Sequence, residues 1–141
     1  MSHAQEMISY TDSLCGITLD ELQGFFQGWP SPPSAETHLK LLEHSDEIVL
    51  AVDDETGNVA GFITAISDGV LSAHISFLEV LPAYRRRGIG RELMRRMLAK
   101  LEGLYAVDLV CDAERQPFYA RFGMSPGTGM MLRNRARQLR A

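Results

Sequence analysis

The chain has 141 residues, 45% of them hydrophobic, enough for one sizeable core, so a single domain over residues 1–141 is expected. A formal net charge of −4 speaks against a protein devoted to nucleic acid, which carries a strongly basic balance, and exposed aromatics interleaved with basic residues are missing. No basic-then-apolar leader opens the sequence and no apolar run approaches the roughly 20 residues that span a bilayer, so a cytoplasmic protein without membrane contact is expected.

In chain order, LDELQGFFQ (19–27) and AETHLKLLEH (35–44) predict two short helices, the second opened by Ser34 as N-cap, with Thr37 where a capping box prefers Glu. Pro30, Pro32 and Pro33 stiffen the loop between them. From Glu47 the pattern turns to strands: EIVLAVD, then VAGFITAIS across the turn DETGN, then LSAHISFLEVL after DGV, ending at Pro82. Three successive antiparallel strands form the expected core sheet. Beyond Pro82 the period changes to about 3.6, with Ile89, Leu93, Met94, Met97, Leu98 and Leu101 on one face of a helix between residues 88 and 102, ended by Gly103. YAVDLVCD predicts the next strand, RQPFYARFG a short helix closed by Gly123, and GTGMMLRN a late strand. A helix of that length is a sufficient crossover to make the strands on either side of it parallel neighbours in a mixed α+β sheet.

Cys15 and Cys111 are too few and too far apart for a disulfide framework, and neither has a second Cys or His at ligand spacing. Two buried thiols and no metal are expected. Met94, Met97 and Met130 read as core residues, His74 as a partly buried strand residue, and Arg95, Arg96, Arg133, Arg135, Arg137 and Arg140 as solvated faces or contacts to a phosphate.

The most informative stretch is LPAYRRRGIGREL, where a strand end, a loop of Arg85, Arg86, Arg87, Gly88, Ile89 and Gly90, and the start of a helix at Arg91 coincide. Free N–H groups at a helix N-terminus attract anions, glycine leaves room for an anion against the backbone, and arginine adds forked donors suited to phosphate oxygens. A phosphate or pyrophosphate ligand is implied. The dinucleotide fingerprint fails because Leu93 stands where the third glycine belongs, and the P-loop pattern is missing.

The stretch does fit Q/R-x-x-G-x-G/A through Arg85, Gly88 and Gly90, and in this it resembles the GNAT superfamily of acyl-CoA-dependent N-acetyltransferases. FLEVLPAYRRRGIGRELMRRML is similar to that family's strand, pyrophosphate loop and helix, and PFYARFGM to its F/L-Y-x-x-x-G-F segment, with Met124 for the usual Phe. The match covers residues 47 to 133. The resemblance implies a GNAT-like twisted sheet, mixed but mostly antiparallel, with a central splayed parallel strand pair and flanking helices.

It also implies a reaction and its parts: direct transfer of the acetyl group of acetyl-CoA to a primary amine, with a small molecule as the amine acceptor and without a metal. Backbone groups of Leu78 and Val80 would pair with the pantetheine arm, amides from Arg86 to Arg91 would wrap the pyrophosphate, and Tyr119 would act as acid toward the departing thiolate. Glu79 is the first candidate for base or amine-binding carboxylate, against a structural ion pair; Asp112 is the second and water the third. Strand alternation alone sets Glu79 on the face of Ile75 and Phe77, a parity that a bulge would change. Phe25, Phe26 and Trp29 with PSPP would wall the amine site. A homodimer stays open, as does the alternative of an acyl-CoA-binding sensor or partner domain without turnover.

Overall fold

Along EIVLAVD, Ile48 and Leu50 point to one side and Val49 and Ala51 to the other, and all four are buried. A strand that is apolar on both faces must be covered on both. The computed structural model describes residues 7–138, and its sheet is covered in that way. Five strands, β1 (Ile8–Thr11), β2 (Glu47–Asp53), β3 (Val59–Ser67), β4 (Ser72–Val80) and β5 (Ala106–Asp108), lie in the order β1-β2-β3-β4-β5. All neighbours are antiparallel except β4 and β5, which run parallel. Helix α1 (Ala35–His44) lies on one face and α2 (Ile89–Lys100) on the other; α3 (Gln116–Ala120) and α4 (Arg135–Gln138) are short. The mixed sheet with one parallel pair and flanking helices is the architecture expected from the sequence.

Helix α2 buries Ile89, Leu93, Met94 and Met97 against Val49, Ala51, Ile63 and Ala65. Its outer face is charged: Glu92 receives Arg95 and Arg96, and Lys100 bonds Asp12 at 2.6 Å, tying the helix to the residue after β1. The two arginines are thus engaged within their own helix. Gly103 does not end the helix; Leu101 caps it through its N–H to Met97 and Leu98, with no left-handed residue.

The remaining differences follow from local chemistry. The expected helix over 19–27 is one 3₁₀ turn, Leu19–Leu22, in which the Glu21 carboxylate accepts the Thr18 N–H at 2.9 Å. Gly24 (φ 90°), Phe26 (φ 65°) and Gly28 (φ 85°) are left-handed, which no helix continues through. Only Ala106–Asp108 of YAVDLVCD joins the ladder. GTGMMLRN has no ladder partner among the described residues, and Met130 is fully exposed instead of buried. Cys15 is exposed and Cys111 half-buried, against the expected pair of buried thiols; His74 is exposed. Strand β1 was not signalled because four residues leave little pattern to read.

On the α1 face, His38 lies among aromatic rings, with centroids 5.1 Å from Phe25, 5.1 Å from Phe26 and 4.3 Å from Phe62. Both ring nitrogens are buried without a partner among the described residues, and burial lowers its pKa to about 4. The histidine of the unfolded chain titrates near 6.5. As pH falls from about 6.5 towards 4, the unfolded state therefore binds the extra proton and stability declines. Urea unfolding of His38→Leu across this window is expected to show a shallower loss of stability than the wild type; an identical slope would contradict this assignment.

Candidate functional site

Strand β4 pairs with β5 only through Ser72, Ala73 and His74. Beyond His74 the pairing ends, while β4 itself runs on to Val80. The gap is a cleft of about 1260 Å³ with Ile75–Val80 on one wall and Leu109–Asp112 on the other. The apolar run LVC after β5 is thus a cleft wall, which explains a strand-like sequence with a three-residue ladder.

At one end of the gap lies the arginine and glycine loop. Arg86 (φ 67°) and Gly88 (φ 79°, ψ 10°) are both left-handed, and alternation of this kind turns successive N–H groups toward one point. Gly88 is the N-cap of α2 and brings no side-chain cap, so the free amides of the first turn stay available. Arg85 Nε donates to the Val80 carbonyl at 2.9 Å and fixes where the loop leaves the strand. A Cβ on Gly90 would sit 3.8 Å from Phe118 and from Val80, an ordinary contact, so the fold itself does not require glycine there.

Tyr119 enters from α3, half-buried against the α2 core and lining the cleft. Burial pushes its phenol above the usual value, the neighbouring Cys111 adds to this and Arg115 opposes it. The hydroxyl therefore keeps its proton through the neutral range. Phe118 stacks edge-on at 5.0 Å and holds the ring from one side.

The far end is walled by the 24–29 segment. Phe26 is 3% exposed and turns its ring into the α1-side core, while Trp29, 38% exposed, lies 5.2 Å from it and lines the cleft. Glu79 faces this wall. Its Oε1 accepts the Phe26 N–H at 2.9 Å and its Oε2 the Gln27 N–H at 3.1 Å. Such bonds to a charged group contribute about 1.5–3 kcal/mol each. They outweigh the roughly 1–2 kcal/mol that a left-handed non-glycine residue costs.

A bulge decides which face Glu79 takes. Phe77 pairs with Thr64 and Ile75 with Ala65, which leaves Ser76 opposite no residue. Ile75 therefore joins the α2 core while Phe77 packs on the α1 side, and Glu79 shares the face of Phe77 alone. Uninterrupted alternation would have put all three together.

Leu78, Glu79, Val80, Arg85, Arg86, Gly88, Ile89, Gly90, Arg91 and Tyr119, singled out in the sequence, all line this one cleft, as does Asp112. Arg87 does not; its guanidinium lies 5.5 Å from the centroid of the Tyr84 ring. Cleft residues with no signal in the sequence include Gln27, Ser76, Arg121 and Met131, and Arg133, expected on a solvated face or at a phosphate, lines the cleft as well. Met131 and Arg133 arrive on the segment expected as a late strand, which runs on to α4, where Gln138 Nε2 donates to the Ser31 carbonyl. Among the described residues no group of three or more His, Cys, Asp or Glu could hold a metal ion, and no helix is long and apolar enough to cross a membrane.

Known proteins share this construction. A crystal structure of a Deinococcus radiodurans R1 protein, named by inference as an acetyltransferase, is 44% identical, with 96% of this chain and 94% of that one covered at a TM-score of 0.92. A GNAT family acetyltransferase from Streptococcus pneumoniae TIGR4 is 30% identical over 92% of this chain and 99% of that one, with a TM-score of 0.73. Among curated proteins, GCN5-related N-acetyltransferase 1, chloroplastic, of Arabidopsis thaliana is 28% identical over 112 residues, 77% of this chain and 56% of the relative. Serotonin N-acetyltransferase 2, chloroplastic, of Oryza sativa subsp. japonica is 29% identical over 118 residues, 80% of this chain and 59% of the relative. The chain thus spans less than three fifths of these curated relatives. The family model described as Acetyltransferase (GNAT) family matches residues 16–124, and the chain belongs to that family.

Proposed function

We propose that the protein is an N-acetyltransferase that moves the acetyl group of acetyl-CoA directly to a primary amine of a small molecule. The observation that carries this reading is the gap between β4 and β5, with the left-handed Arg86 and Gly88 loop and the uncapped start of α2 at one end and Tyr119 on its wall.

The residues fit the co-substrate. Gly88 and Gly90 line the cleft at the start of α2, where the first-turn amides have no side-chain cap. Amides from Arg86 to Arg91 would hold the pyrophosphate, and the edge of β4 at Leu78 and Val80 would pair with the pantetheine arm. When bound, acetyl-CoA supplies a thioester carbonyl and a thiolate leaving group. Tyr119 holds a proton at Oη that can be donated to sulfur. The amine must arrive unprotonated, its proton passing to water or to the cleft carboxylate Asp112, since both oxygens of Glu79 already accept backbone amides. Glu79 also offers negative charge to an incoming ammonium.

Trp29, Phe26 and Phe77 support an acceptor with an apolar or aromatic part beside its amine, consistent with the serotonin acetyltransferase among the relatives. A single domain and a cytoplasmic setting belong to the same proposal.

Two substitutions test its two halves. Gly90→Val is expected to weaken acetyl-CoA binding about tenfold or more, a loss of at least 1.4 kcal/mol, in a protein that stays folded, because the pattern accepts only Gly or Ala at this place and a larger side chain reaches into the cleft that position 90 lines. Unaltered affinity in a calorimetric titration would remove the anion site. Tyr119→Phe is expected to lower kcat by about 10²-fold or more while the Kd for acetyl-CoA stays within about threefold, as befits a proton donor acting in the transition state. A full rate would make the phenol a packing residue.

A further inference from the structure

We propose that Glu79 is a positioning residue that builds the acceptor wall by clamping the backbone of the 24–29 segment, and that the proton of the amine leaves by another route. The inference rests on the acetyltransferase reading for its kinetic consequence, but the clamp itself does not depend on any ligand.

Within the 24–29 segment the Trp29 N–H donates to the Phe26 carbonyl at 3.3 Å and Gln27 Nε2 to the Gly24 carbonyl at 2.5 Å, and neither bond engages the amides of Phe26 and Gln27. Left-handed glycines stand at positions 24 and 28, and Phe26 between them takes a backbone conformation that side chains disfavour. Two successive amides, those of Phe26 and Gln27, converge on the two separate oxygens of one carboxylate. With both oxygens engaged, the Glu79 side chain is fixed in plane and in distance, and so is the backbone it faces. Phe26 then directs its ring into the core, and Trp29, which also lines the cleft, rests on that ring at 5.2 Å and on Phe77 at 6.5 Å.

Position 79 is thus the joint between the two halves of the site. Its backbone belongs to the strand that lines the cofactor gap, and its side chain holds the wall of the acceptor end. The extra residue Ser76 makes this arrangement, since without the bulge the carboxylate would point into the α2 core. An oxygen that already accepts an amide proton is poorly placed to take another from substrate. The remaining lone pairs can attract an ammonium without removing its proton.

Trp29 is the single tryptophan of the chain, so its fluorescence reports the wall directly. In Glu79→Gln an amide N–H₂ must face one of the two backbone donors, and Trp29 is expected to become more accessible to acrylamide in the ligand-free protein. With phenethylamine as the probe amine at saturating acetyl-CoA, KM is expected to rise about tenfold or more, with kcat changed less than about threefold. The acidic limb of the kcat profile should keep its position. Unchanged quenching of Trp29 overturns the clamp, whatever the activity. Unchanged KM with a collapsed kcat and a lost acidic limb overturns it in favour of Glu79 as base. If Glu79→Gln does not fold, hydrogen exchange in the wild type decides: slow exchange at Phe26 and Gln27 supports the clamp, and solvent-like exchange at both overturns it. Failure of acetyl-CoA to bind the wild type would defeat the acetyltransferase reading and leave the quenching and exchange results standing.

Discussion

From Ser72 to His74, strand β4 is bonded on both edges; from Ile75 to Val80 it is bonded on one, and the other edge opens on the cleft. Unpaired backbone donors and acceptors along a strand edge are a template for an extended ligand. The remainder of the site is arranged around that edge. The arginine and glycine loop follows directly from its end, α2 starts within that loop, and Tyr119 reaches the same space from the chain that has parted from β4. The parting is sustained because each strand still has a core to pack on. Leu78 and Val80 pack against the α2 cluster from one side of the gap, and Leu109 and Tyr119 from the other.

The same strand divides its duties between backbone and side chains. Its main chain faces the proposed cofactor, and its side chains alternate between the two cores until the bulge at Ser76 resets them. One extra residue thereby moves a carboxylate from an apolar interior to a cleft wall. Burying that charge without partners would cost several kcal/mol. Two backbone amides and the open cleft meet it instead.

Much of this was legible in the residues. The apolar strands 47–53 and 59–67 and the helix after Ser34 begin and end where their turns and caps indicated, because local chemistry and burial agree there. The loop Arg85–Arg91 was legible because glycine and arginine at a strand-to-helix junction have few other uses. What escaped depends on contacts between distant residues. The family resemblance allowed for a bulge before Glu79, but its place at Ser76 is a property of the β3–β4 pairing that nothing in SAHISFLEV marks. The helix expected over 19–27 had suitable apolar spacing, but three left-handed residues between 24 and 28 use that stretch as a wall. YAVDLVCD keeps its strand composition while most of it leaves the sheet to line a cleft. His38 gave no signal at all, since a histidine on an amphipathic helix reads the same whether it meets water or three phenylalanines.

In the proposed complex, acetyl-CoA lies along the free edge of β4 with its pyrophosphate at the start of α2. The most direct measurement is a titration of the ¹⁵N-labelled protein with acetyl-CoA, followed amide by amide, with NAD and ATP as parallel controls. Saturable shifts from acetyl-CoA concentrated at Leu78, Val80 and the amides from Arg86 to Arg91 are the predicted result. Shifts elsewhere, or equal shifts from NAD, would contradict it.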